Sequence, residues 1–172
     1  RTDNLEVYDA VLRGLEYHYR ITPEATAQAR QLYEKATALD PQYAEAYAHL
    51  GYTYWVEWLL RWSADPQTLE RVSELAQQAL ALDDSLPMVH SLLGIFYSQK
   101  HQYDQALAEG ERAIPLDPNY ADSYAVQAEV LIFTGRPEET LRRMEQAMRL
   151  NPRSPPWYVL WLGLAYQMTG RY

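Results

Sequence analysis

Hydrophobic residues in this chain recur in paired patches of helical spacing. Within residues 87–120, Leu92, Leu93, Phe96 and Tyr97 form one apolar face, the polar stretch KHQYD follows, and Ala106, Leu107, Ala113 and Ile114 form a second face closed by LDPNY. Each set falls on one side of a helix, so the segment predicts two helices joined by a turn. Small residues repeat the theme. Ala29 and Ala36, Val72 and Ala79, Ala106 and Ala113, and Thr140 and Ala147 each lie seven apart. Such a stripe lets a neighbouring helix come close.

The punctuation between these patches is periodic, and a period must be read before local structure because it sets the fold. Asp40-Pro41, Asp117-Pro118 and Asn151-Pro152 recur, with Asp83-Asp84 in the second slot; Pro41, Asp84, Pro118 and Pro152 are separated by 43, 34 and 34 residues. Gly14, Gly51, Gly94, Ala128 and Gly163 follow at intervals of 37, 43, 34 and 35. The unit is therefore 34 residues, with three extra in the first copy and nine in the second. A residue before Pro avoids helical dihedrals and Pro opens the next helix, so these pairs suit the links. Pro115 falls in what should be a last helical turn and predicts an early end or a kink.

The expectation is an all-α solenoid of antiparallel helix pairs, about nine helices, forming one array over residues 1–172. Its units are about 4–41, 44–84, 87–120 and 121–154, with a half unit at 156–172 and the insertion near 58–66. The recurring pattern resembles the tetratricopeptide repeat. It reads Tyr47, Leu50, Gly51, Tyr54 in the second unit, Leu93, Gly94, Tyr97, Tyr103, Ala106, Ala113, Pro118 in the third, and Tyr124, Ala128, Leu131, Gly135, Ala147, Pro152 in the fourth. The half unit has Leu162, Gly163, Tyr166, Gly170 and Tyr172; departures are Gln127 for Leu and Thr140 for Ala. More weakly, YDAVLRG with TPEATAQARQLYEKA and the Trp-rich second unit is similar to repeat regions behind the catalytic domain of bacterial class III adenylate cyclase-like proteins.

The first resemblance implies a superhelix whose groove is lined by the first helix of each unit. Its groove positions would be Val11, Leu12, Leu15 and His18, then Ala48, His49, Tyr52 and Trp55. Ser91, Leu92, Ile95 and Gln99 follow, then Ala125, Val126, Glu129 and Phe133, and finally Leu160, Trp161, Leu164 and Met168. Relatives that clamp a carboxylate carry Asn and Lys or Arg at places held here by Tyr52, Ile95, Glu129 and Leu164. An amphipathic or apolar segment of a protein partner fits this surface better. The second resemblance implies a regulatory or assembly domain of a bacterial signalling enzyme, contacting its own catalytic region or a second protomer.

The stretch YTYWVEWLLRW, residues 52–62, sits at the insertion. Trp55, Trp58 or Leu59, and Trp62 recur at helical spacing, which predicts a first helix running about two turns too far, then a new start at Asp65-Pro66. The first unit's three extra residues are expected to lengthen its first helix and carry Tyr17, Tyr19 and Ile21 over the Trp stripe, which is core or a partner patch.

Composition narrows the class. There are 15 Lys and Arg against 23 Asp and Glu, a net charge of −8 without a basic cluster, so nucleic acid is not an expected partner. Glu57 and Arg61 interrupt the most apolar run, so no membrane insertion is expected. With no cysteine there is no disulfide framework, thiolate nucleophile or cysteine-bound zinc, and cytoplasmic residence is compatible. His18, His49, His90 and His101 make no HExxH pattern, the seven glycines are scattered, and carboxylates such as Glu138-Glu139 sit where helix dipoles want them. No catalytic, metal or cofactor residue is therefore assigned. The chain starts at Arg1 and reads as a piece of a longer protein. Its half unit presents Trp157, Leu160, Trp161 and Leu164 without a second helix, so self-association through that end is expected.

Overall fold

The structure is a computed structural model and describes residues 4–171. Among the described residues there are nine helices and no strand. They are α1 (Leu5–His18), α2 (Pro23–Leu39), α3 (Ala44–Leu59), α4 (Thr68–Leu82), α5 (Pro87–Gln99), α6 (Tyr103–Leu116), α7 (Ala121–Phe133), α8 (Pro137–Leu150) and α9 (Pro156–Met168). Two compact units divide the chain, Arg1–Leu92 and Leu93–Tyr172, with the boundary inside α5. In the first unit α1 packs on α2, α2 on α3 and α3 on α4; in the second α6 packs on α7, α7 on α8 and α8 on α9.

Small residues make these pairings possible. All eight stripe residues, Ala29, Ala36, Val72, Ala79, Ala106, Ala113, Thr140 and Ala147, are completely buried. The glycines that register with them serve the same contact: a Cβ on Gly14 would stand 2.4 Å from the Tyr33 ring of α2, and one on Gly51 3.6 Å from Leu75 of α4. Thr140, in place of Ala, stays small and donates its hydroxyl to the Ala128 carbonyl at 3.3 Å, joining α8 to α7. Gln127, in place of Leu, is buried against Gly110, where a Cβ would come within 2.6 Å of it.

Each link is built alike. The backbone N–H of Asp40, Asp83, Asp117 and Asn151 closes the helix onto the carbonyl of the second stripe residue, Ala36, Ala79, Ala113 or Ala147. The three Asp side chains then accept from the backbone N–H two residues on, at 2.9–3.0 Å, a local turn that Asp is suited to. Six residues after Pro41 and Pro118, Tyr47 and Tyr124 donate their hydroxyls to those prolines' carbonyls at 3.2 and 3.0 Å. His90 meets the Asp84 carbonyl in the same register at 2.9 Å, so this buried histidine is a link clamp.

Three local expectations change. Pro115 does not end its helix early: α6 runs to Leu116, level with the ends of α2, α4 and α8, because proline in a last turn forfeits only one backbone bond. The first unit's extra residues lengthen α2, which has 17 residues against 14 in α6 and α8, rather than α1. Of the nine inserted residues, three extend α3 by about one turn, one extends α4 and five lie in the link, so the helix is one turn longer and not two. The α3 extension is tied back to the body of α2 through Glu57. Antiparallel packing sets the start of α2 beside the end of α3, and there Arg30 donates to Thr53 Oγ1 at 3.2 Å and Glu57 at 2.9 Å while its guanidinium covers the Tyr54 ring at 4.0 Å.

Candidate functional site

The predicted groove residues split by burial. In the first unit Val11, Ala48, Tyr52, Trp55, Ser91 and Leu92 are buried, whereas Leu12 is exposed and Leu15, His18 and His49 are half-buried. In the second unit Ile95, Ala125, Val126, Glu129 and Trp161 are buried. Gln99 and Leu164 are half-buried there, and Phe133, Leu160 and Met168 are exposed. The surface each unit offers is therefore a few side chains standing on a packed aromatic floor.

In the first unit that floor is a run of rings. His18 meets Tyr52 edge-on at 6.2 Å, Tyr52 meets Trp55 at 5.9 Å, and His49 stacks on Tyr33 at 5.2 Å. Burial holds the His18 imidazole down to about 4. Burial, with a smaller push from His18, holds His49 down to about 3. Both rings are thus neutral near pH 7 and act as flat, weakly polar surface. The Tyr33 hydroxyl is buried with no hydrogen-bond partner. Trp55 is core, at 1% exposure; Trp58 is half-buried on α3, and Trp62 is half-buried beyond the helix, in the link. Tyr19, expected over that stripe, is largely exposed, and Arg30 flanks the lengthened helix.

The second unit has an acid where the first has bases. Glu129, on α7, is completely buried. Its Oε1 accepts from Ser98 Oγ at 3.0 Å and Gln99 Nε2 at 2.5 Å, while Oε2 has no partner. Burial lifts its carboxyl to about 7 against the opposing pull of those two hydrogen bonds. Asp122 is likewise raised by burial, although the Tyr158 and Tyr120 hydroxyls donate to it. One turn beyond Glu129, Phe133 is 46% exposed; it stacks with Tyr103 at 6.2 Å and meets Trp161 edge-on at 5.4 Å. No pattern in the sequence signals the Ser98–Gln99–Glu129 group, because Ser98 and Gln99 lie 31 and 30 residues from Glu129. Nor does spacing mark Trp161 as core: it packs into the cluster of Tyr124, Met144 and Tyr158, with Trp157 and Leu164 partly buried against it.

Among the described residues no group of three or more His, Asp or Glu could hold a metal ion, and no helix is long and apolar enough to cross a membrane. His101 is exposed at the α5–α6 turn with φ +59° and bonds the Tyr103 hydroxyl at 2.8 Å.

Comparison with known proteins agrees with this architecture. The family model described as TPR repeat matches residues 25–56, most of α2 and α3. A protein named putative adenylate cyclase 3, from Rhizobium meliloti (strain 1021), is 32% identical over 102 residues, which are 59% of this chain and 17% of that protein. The chain thus spans under a fifth of that relative's length. Among solved structures, Pseudomonas aeruginosa PilF superposes with a TM-score of 0.65 at 24% identity, over 96% of this chain and 70% of that one. A thermophilic TPR protein of Thermus thermophilus gives 0.62 at 21% identity, over 85% and 72%.

Proposed function

We propose that this chain, a tetratricopeptide-repeat protein by sequence and by fold, is a protein-interaction scaffold that takes an amphipathic or apolar segment of a partner protein on the first helices of its repeats. The observation that carries the reading is Phe133. It is a large ring left nearly half exposed at the end of α7, a helix whose residues from Ser123 to Ile132 are all buried, and it stands on Tyr103 and Trp161. Aromatic side chains held rigidly by neighbours make efficient contact anchors. Leu12, Leu15, His18 and His49 form the corresponding surface of the first unit, and Leu160, Leu164 and Met168 extend that of the second.

Val11, Ala48, Tyr52, Trp55, Ser91, Leu92, Ile95, Ala125, Val126, Glu129 and Trp161 then shape the floor, and the accessible residues make the contacts. In this reading the module has no reaction of its own and works in the cytoplasm. The acidic balance favours proteins over nucleic acid as partners. The test is retention of a partner from the source organism by the chain, by Phe133→Ala and Leu12→Asp, and by Glu111→Ala on the exposed side of α6. Loss in the first two with retention in the third is expected; equal retention by all would overturn the reading.

A second reading rests on the 32% identity to the putative adenylate cyclase. The scaffold would be the regulatory or assembly part of a larger signalling enzyme, its surface seating the enzyme's own catalytic region. Where the chain is carried with a cyclase domain, replacing Phe133 by Ala should change cyclase output; an unchanged output would remove this reading while leaving the first intact.

A further inference from the structure

Of the register positions Tyr52, Ile95, Glu129 and Leu164, only Glu129 carries a carboxyl. Its hydrogen bonds, from the Ser98 hydroxyl at 3.0 Å and the Gln99 amide at 2.5 Å, both end on Oε1, and Oε2 meets no donor of the chain. Lys100, next to Gln99, lies over the Phe96 ring at 5.7 Å and leaves the acid without a cation. A buried carboxyl with one oxygen unmet costs stability that an apolar residue, such as Ile95 of the preceding repeat, does not. The cover is thin on one side. Gln99 is the half-buried last residue of α5, and Lys100, His101 and Gln102 beyond it are exposed, so Gln99 is the side chain that must swing to admit a group from outside. One turn along α7, about 6 Å, Phe133 stands 46% exposed on Tyr103 and Trp161. An apolar anchor and an unmet acid thus lie side by side.

We propose that the segment docking on Phe133 is a helix with a lysine three or four residues from its apolar contact residue, and that the lysine ammonium takes Glu129 Oε2 as Gln99 swings aside. The inference rests on the scaffold reading and names the chemistry of its partner. The spacing matches, since residues three and four apart are neighbours on one helix face. Lysine suits the path, because its compact ammonium stands on a flexible, unbranched stem that lies along an aromatic ring while the charge reaches past it. At Oε2 the ammonium meets an opposite charge and a free acceptor together, and such charge-assisted hydrogen bonds are the strong ones. The fold has already buried the carboxyl, so docking adds only the lysine's desolvation. An acidic segment would be repelled and a neutral one would leave Oε2 unmet. The net charge of −8 acts in the same direction by drawing basic segments towards the chain.

A displayed library of random peptides of about 14 residues, roughly four helical turns, tests it. Selection runs at pH 7.5, above the value of about 7 at which burial holds the Glu129 carboxyl, so the carboxylate is the larger population. The baits are the chain, Glu129→Gln, Phe133→Ala and Glu111→Gln, the last an exposed acid on α6, each checked for native helix content by circular dichroism. Peptides selected by the chain and by Glu111→Gln should carry lysine three or four residues from a large apolar residue. Those selected by Glu129→Gln should keep the apolar residue and lose the lysine, and Phe133→Ala should select neither feature. In one selected peptide, replacing the lysine by norleucine should weaken binding to the chain about tenfold or more and to Glu129→Gln less than about twofold. No lysine preference, a preference that survives in Glu129→Gln, or an equal effect of norleucine on both proteins would each overturn the proposal. Peptides that depend on Phe133 without preferring lysine would overturn it and leave the scaffold reading intact, whereas a library yielding no Phe133-dependent peptide would count against both.

Discussion

The two units share one repeat plan and set opposite chemistry on the first helices of their repeats. The first holds two half-buried imidazoles, His18 and His49, against tyrosines; the second seals in a carboxyl, Glu129, one turn before Phe133. Burial disfavours the charged form in both, so the bases are held deprotonated and the acid protonated. The difference teaches that a repeat scaffold constrains the size of residues packed on its first helices more tightly than their polarity. Any group can be accommodated if it is neutral under the working conditions, and the pH at which neutrality fails then differs between units.

The largest effect expected from a single substitution tests packing. Trp55→Ala, at a fully buried site, should cost about 3–5 kcal/mol in urea titration, and Trp58→Ala, half-buried on the same helix, only about 1–2 kcal/mol. Equal losses would mean that the end of α3 is packed as tightly as its middle.

The acid comes next. Glu129 titrates near 7 when folded and near 4.5 when unfolded, so the folded state keeps a proton that the unfolded state loses. Stability from this group is full below about 4.5 and falls as pH rises through 7, by on the order of 2–3 kcal/mol at pH 8. Glu129→Gln should remove that slope and raise the second unit's stability at pH 8, read by denaturant titration at pH 5 and pH 8. An unchanged slope would show that Glu129 is ionised in the fold.

The imidazoles should give the opposite slope and a smaller one. Their folded values, about 4 and about 3, lie below the ordinary 6.5, so the stability they confer is present above 6.5 and falls as pH drops towards 4 and 3. At pH 5 each should have removed about 1–2 kcal/mol from the first unit, and a His18→Gln, His49→Gln pair should flatten the profile. Hydrogen exchange resolved by helix would then show α1–α3 loosening first at pH 5 and α6–α8 first at pH 8. If both units loosen together at both pH values, the contrast between them is not thermodynamic.

Phe133→Ala closes the series. Its ring is nearly half exposed, so the variant should lose less than about 1 kcal/mol of stability while losing partner binding. A large stability loss would instead assign the ring to the core with Trp161.

Much of the fold was legible because it depends on period and size. The 34-residue spacing, the stripe ending at Ala36, Ala79, Ala113 and Ala147, and the Asp/Asn-Pro links are local statements, and each predicts where a helix ends and which side it buries. The pairing of Arg30 with the lengthened α3 was not legible, since it joins side chains 23 and 27 residues apart that no local pattern relates. Candidate contact positions were legible only as register. Tyr52 and its register equivalent Glu129 are both buried while Phe133 is exposed, and how much neighbouring chain lies over each decides that. The sequence by itself thus determined helix order, pairing and the small-residue seams, because backbone geometry converts residue spacing directly into faces. Only the tertiary structure decided that Glu129 is sealed in with Ser98 and Gln99, and that Trp55 is core while Trp62 lies in a link. Burial is a property of what else arrives at a site, and no single helix carries that information.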